Sequence, residues 1–148
     1  MSYDKKLLIV ILRTLAGASL FALIPVCMPF AWMDAIHRAL GLGPLPDVPI
    51  TRYLTRSLSA FYAMQGALLL YLSFDLKRNL HVIRLFALLG VLFGFALLII
   101  DLAADLPLLW IIGEGPFVMV FCMVILLLIQ RIRINSPSMT GRAVTPTR

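Results

Sequence analysis

Leu85-Phe86-Ala87-Leu88-Leu89-Gly90-Val91-Leu92-Phe93-Gly94-Phe95-Ala96-Leu97-Leu98-Ile99-Ile100 runs through the chain without an Asp, Glu, Lys or Arg. Residues 14–33, 57–74 and 115–130 are equally free of charge. A helix needs ~20 predominantly apolar residues to cross the ~30 Å of hydrocarbon in a bilayer. Inside that hydrocarbon the backbone must satisfy its own hydrogen bonds, and helices do so within one segment. The four stretches therefore predict an all-α fold, an integral membrane four-helix bundle with up-down antiparallel topology.

Composition agrees. Hydrophobic residues make up 61% of the 148 and charged residues 14%, against ~25% charged in an ordinary soluble domain. The expected spans are residues 7–28, 51–74, 82–104 and 108–130. A single transmembrane domain over 1–134 leaves no room for a second folded unit. Residues 135–148 are rich in Ser, Thr, Pro and Arg and read as a disordered cytoplasmic tail. Lys5 and Lys6 before an apolar run could open a signal peptide, but Arg13 interrupts that run and no small-residue cleavage pattern follows. The first span is read as uncleaved.

The punctuation within this plan comes from prolines and capping residues. Pro25 is expected to bend the last turn of the first span, and Pro29 to end it. Residues 31–41 follow, with Trp32, Ala35, Ile36, Ala39 and Leu40 on one helical face and Asp34, His37 and Arg38 on the other. This pattern predicts a short amphipathic helix lying in the interface between the first two spans. Asp47 is expected to cap the second span, with Pro49 in its first turn. Residues 75–79 read as a tight polar turn.

The net charge is +6, and the basic residues mostly flank apolar segments. Their counter-charges are acidic lipid headgroups, not nucleic acid. With the N-terminus in the cytosol, Lys5, Lys6, Arg13, Lys77, Arg78, Arg84, Arg131, Arg133, Arg142 and Arg148 lie inside, and Arg38, Arg52 and Arg56 lie outside. Ten against three predicts a multi-pass protein of a bacterial cytoplasmic (inner) membrane with both ends in the cytosol.

The chemistry-bearing residues gather at the outer ends of the spans. Arg56 stands 19 residues from Asp75, Asp101 stands 17 from Arg84, and Glu114 stands 17 from Arg131. At ~1.5 Å per residue each is ~26–28 Å above a cytoplasmic-side charge. Arg52 and Arg56 open a helix at its positive end, while Asp101 and Asp105 close one at its negative end. Both placements are unfavourable alone, so the expectation is a cross-paired cluster of Arg52, Arg56, Asp101, Asp105 and Glu114. Small-residue stripes support it: Ser59, Ala63 and Gly66 run below Arg56, and Ala87, Gly90 and Gly94 run below Asp101. They predict that the second and third spans pack along these stripes. Gly113-Glu114-Gly115-Pro116 frames the carboxylate with two glycines and a helix-starting proline. Gln65, with Tyr62 one turn earlier, is expected near mid-membrane, where its amide needs a partner.

Two functional readings remain open. The cluster is a clasp that locks three spans of a non-enzymatic bundle, or it is the outward-facing polar site of a small transporter or ligand-binding protein. An enzyme acting on lipid or quinone lacks a nucleophile–base pair, a metal motif or a phosphate loop, so no catalytic residue is assigned. His37 and His81 fall on opposite sides of the membrane and cannot together hold a metal or haem. Cys27 and Cys122 make no CxxC. No metal or cofactor is expected. The expected partners are the bilayer itself and a second copy or another membrane protein.

Through Arg56-Ser57-Leu58-Ser59-Ala60-Phe61-Tyr62-Ala63, the Asp101 and Asp105 pair, and Gly113-Glu114-Gly115-Pro116, the chain resembles small four-helix bacterial inner-membrane proteins of unknown function. The resemblance covers residues 7–130 and implies no activity. The DoxX-like group is similar in size and hydropathy. Small multidrug transporters are also four-helix chains, but they carry a Glu in the first span that is missing here.

Overall fold

The computed structural model describes residues 3–134; residues 135–148, read above as a disordered tail, lie outside the described residues. The described elements are all helices: α1 (Tyr3–Leu20), α2 (Leu23–Cys27), α3 (Phe30–Ala39), α4 (Pro49–Phe74), α5 (Leu76–Ala103), α6 (Leu108–Gly113) and α7 (Gly115–Ile134). Four segments are long and apolar enough to cross a membrane: Tyr3–Cys27, Pro49–Phe74, Leu76–Ala103 and Leu108–Ile134, of 25 to 28 residues.

Two of these segments are broken, each just upstream of a proline. In an unbroken helix Pro25 would bond the Phe21 carbonyl, but proline has no N–H and its ring crowds that carbonyl. The Phe21 carbonyl instead accepts from Ile24 N at 3.0 Å, and Ala22 N reaches back to Ser19 O at 3.1 Å. The expected bend therefore falls at Phe21 and Ala22 rather than in the turn that holds Pro25. Pro116 acts in the same way on the Ile112 carbonyl, and the expected single span over 108–130 becomes α6 and α7. The pinch is Glu114, at φ −105° and ψ −82°, with ordinary bonds on either side from Glu114 N to Trp110 O and from Val118 N to Glu114 O.

Two other boundaries differ from the sequence reading. Residues 75–79 are not a turn: Asp75 alone leaves the helical region, and its carboxylate accepts from Arg78 N at 3.2 Å as the N-cap of α5. Asp47 is not the cap of α4. Val48 holds that place without a side-chain bond, because the Asp47 carboxylate is taken by Arg52 Nε at 2.7 Å.

The helices pack as two close pairs, α1 with α4 and α5 with α7. Glycines set both. A Cβ on Gly66 would lie 2.8 Å from the Ala16 carbonyl oxygen and 2.9 Å from Ser19 Cβ. A Cβ on Gly94 would lie 2.7 Å from the Gly115 carbonyl oxygen, and one on Gly115 the same distance from that of Gly94. Gly90 leaves room for Cys122 Sγ. The small stripes thus do make close approaches, but not to each other as expected. α4 gives its stripe to α1, which offers Ala16 and Ser19, and α5 gives its stripe to α7, which offers a second glycine. α4 and α5, joined through Asp75, pack only sparsely.

The packed core fills one half of the molecule. Leu8, Leu12, Leu69, Leu72, Ile83, Ile125, Leu128 and Ile129 are all buried there. The same end gathers Arg13, whose Nε donates to Ser73 Oγ at 3.3 Å and whose guanidinium lies 5.5 Å over Phe74, and Arg133, which donates to His81 Nδ1 at 3.3 Å. At the other end α3 is tied down by polar contacts. The Asp34 carboxylate takes Leu45 N at 2.8 Å and Arg38 Nε at 2.9 Å, and His37 Nδ1 donates to the Gly43 carbonyl at 2.9 Å. Gly41 and Gly43 turn this connection at φ 78° and 77°, a conformation that suits glycine.

Candidate functional site

Beyond the level of Gly66, Gly90 and Cys122 the two helix pairs separate, and a half-open cavity of about 600 Å³ lies between them. Small-molecule sites commonly enclose ~300–1,000 Å³ with mostly apolar walls and a few polar groups. The walls here come from α1, α4, α5 and α7, and rings dominate them: Phe61 on α4, Phe86 and Phe93 on α5, Phe117 and Phe121 on α7. Phe117 and Phe121 pack on each other at 4.6 Å between centroids. The polar lining is Ser19, Tyr62, Gln65 and Cys122.

Gln65 makes no hydrogen bond to any described residue. The helix partner expected for its amide is replaced by the cavity, which its half-buried side chain lines. Tyr62 has a double role. It lines the cavity, and it lies beside Glu114. Trp110 and Asp101 are the other polar neighbours of Glu114.

The elements explain why these groups meet. The break forced by Pro116 leaves Glu114 at the joint of α6 and α7, next to the end of α5. The Gly94–Gly115 contact brings α5 and α7 close enough for Asp101, two turns beyond Gly94, to come near Glu114. Asp101 is 3% exposed, and its Oδ2 has no hydrogen-bond partner. A buried carboxylate oxygen in that condition costs free energy comparable to an unmade hydrogen bond, ~1–3 kcal/mol or more for a charged group.

The arginines expected to answer these carboxylates are elsewhere. Arg56 is exposed and makes no ion pair with any described residue. Arg52 pairs with Asp47, and its guanidinium lies 5.2 Å over the Phe30 ring. Asp105 is also outside the cluster. It is exposed, at φ 49°, and occupies the left-handed position that ends α5. Leu106 N bonds the Asp101 carbonyl and Asp105 N bonds the Leu102 carbonyl, the paired closure that usually uses glycine. The expected five-residue cluster is therefore two carboxylates with Tyr62 and Trp110, and the cross-paired clasp with Arg56 is not formed. Long arginine side chains at a span's end keep their charge in water more cheaply than they bury it.

Sequence reasoning missed Trp110 and the aromatic walls. A signal for the walls existed: Phe86, Leu89 and Phe93 at helical spacing flank the glycine stripe, and Phe117 and Phe121 are one turn apart. Among the described residues no group of three or more His, Cys, Asp or Glu side chains could hold a metal ion. The arrangement offers an apolar space and, next to its Tyr62 wall, two carboxyl groups that no described basic side chain pairs with.

Comparison with protein-family models, with curated proteins and with solved structures returned no match to this chain.

Proposed function

We propose that this chain is a non-enzymatic, multi-pass protein of a bacterial inner membrane that binds a small ligand in the cavity between its two helix pairs. It crosses the bilayer four times as an up-down antiparallel bundle, with α3 in the outer interface and both ends in the cytosol. The topology is supported by contact register. Arg13 meets Ser73 while Ser19 meets Gly66, so α1 and α4 run in opposite directions. His81 meets Arg133 while Gly94 meets Gly115, so α5 and α7 do the same. The ten-to-three distribution of Lys and Arg supports the orientation. Reporter fusions at each end test it, and an exterior location for either end would overturn it.

One observation favours ligand binding over a structural clasp. Tyr62 is at once a wall of the cavity and a neighbour of Glu114, so the carboxyl group borders the apolar space, and no basic side chain among the described residues pairs with it. A small transporter would use the same site.

Thiol access separates the site from a closed clasp. Cys27 and Cys122 are the chain's two cysteines, and Cys122 lines the cavity. In a Cys27→Ser protein, a small methanethiosulfonate reagent should modify Cys122 in the folded state. Ala18→Trp, which adds bulk from the α1 wall, should slow that reaction. A Cys122 that reacts only after unfolding would rule out an accessible cavity.

A further inference from the structure

We infer that the ligand is an amphiphile with one cationic head and a single drug-sized apolar body. This deepens the ligand-binding reading and rests on it. The body is assigned by the cavity and the head by the groups at its end.

The cavity walls are chiefly aromatic and aliphatic, and Gln65 is the one amide among them. A volume of about 600 Å³ suits one compact apolar group, not the two chains of a bilayer lipid. At the Tyr62 end stand Glu114 and Asp101, each within electrostatic reach of the other. No Lys, Arg or His of the described residues pairs with either carboxylate. Asp101 is buried, with Oδ2 lacking a hydrogen-bond partner, and it neighbours both Tyr62 and Glu114.

Each alternative head fails on one of these facts. An anionic head would meet two carboxylates. A purely apolar molecule would fill the cavity and leave the Asp101 oxygen unanswered. A bare metal ion would find two carboxylates but no third His, Cys, Asp or Glu among the described residues. An ammonium head answers the carboxyl groups that the other heads repel or leave unmet.

The test uses the full chain in phosphatidylcholine nanodiscs with Trp32→Phe, which leaves Trp110 as the single tryptophan. Trp110 emission is followed while dodecyltrimethylammonium, dodecanol or dodecanoate is added, with empty nanodiscs as the partition control. The expected result is saturable binding of the cation, at least about tenfold tighter than the alcohol, and none of the carboxylate. Asp101→Asn with Glu114→Gln should remove that preference, and Arg56→Ala should keep it. Equal binding of cation and alcohol would overturn the cationic head while leaving the cavity reading intact. Absence of saturable binding by all three would overturn both, and Cys122 access then reports whether the cavity itself is open. The comparison of cation with alcohol needs no carboxylate variant, so misfolding of the double variant does not decide the outcome.

Discussion

Tyr62 of α4 lies beside Glu114 at the joint of α6 and α7, a contact that crosses between the two helix pairs. The core of Leu8, Leu72, Ile83 and Ile129 lies away from this contact, so a hydrogen bond from the Tyr62 hydroxyl to Glu114 would act as a local tie. Tyr62→Phe keeps the ring and deletes the tie. Unfolding in mixed micelles should show a loss of about 0.6 kcal/mol, the usual worth of an interhelical hydrogen bond in a membrane. Tyr71→Phe, at a position 69% exposed, should change nothing. Equal effects from the two would remove the tie.

Gly115 and Gly94 meet backbone to backbone, and neither side can yield by moving a side chain. In a membrane the hydrophobic effect does not press helices together, so close packing carries the association. Gly115→Ala should destabilise the fold by about 1–3 kcal/mol, the range for overpacking. Gly17→Ala is the control, since a Cβ there meets nothing within 4 Å; it should be neutral or stabilising, as alanine is the better helix former. Reversible unfolding of the two variants side by side measures the difference.

The four apolar segments were legible because length and hydropathy add up along the chain and need no partner to be read. The prolines were legible too, but their effect lands upstream, at Phe21 and Ala22 before Pro25 and at Glu114 before Pro116, so one expected bend moved and one expected span divided. Partner choice was not legible. A glycine at Gly66 or Gly94 announces that a backbone comes close without saying which one. The Arg56 bridge failed for a reason of magnitude: a helix end offers ~0.3–1 kcal/mol, too little to draw a hydrated guanidinium inward. The Phe61 and Phe93 walls were hidden because an aromatic ring reads alike whether it faces lipid or a cavity. Asp101 and Glu114 were expected at one level because depth along a helix follows directly from residue count, and the two are neighbours.

Asp105 closes α5 in the left-handed region, at φ 49°, where a side chain is tolerated only reluctantly. Its carboxylate is exposed and takes no part in the Asp101–Glu114 pair. Asp105→Gly should therefore leave cation binding unchanged and hold or raise the unfolding midpoint. Asp105→Val should lower stability by about 1–2 kcal/mol, the cost of forcing a branched residue into that region. A loss of binding in Asp105→Gly, with stability kept, would return Asp105 to the site.

Asp34 fixes the connection between α3 and α4, and its titration should be visible there. The Leu45 N–H bond and then the Arg38 guanidinium hold its carboxyl below the ordinary value of 3.8. A carboxylate whose folded value is depressed stabilises the folded form fully above the unfolded value and loses that contribution as pH falls through the folded one. The Leu45 amide, bonded to Asp34 Oδ1 at 2.8 Å, should thus keep its chemical shift from neutral pH down to the ordinary Asp value and move only below it. Asp34→Asn should abolish that acid-range movement. A Leu45 amide that shifts near neutral pH instead would overturn the assignment to Asp34.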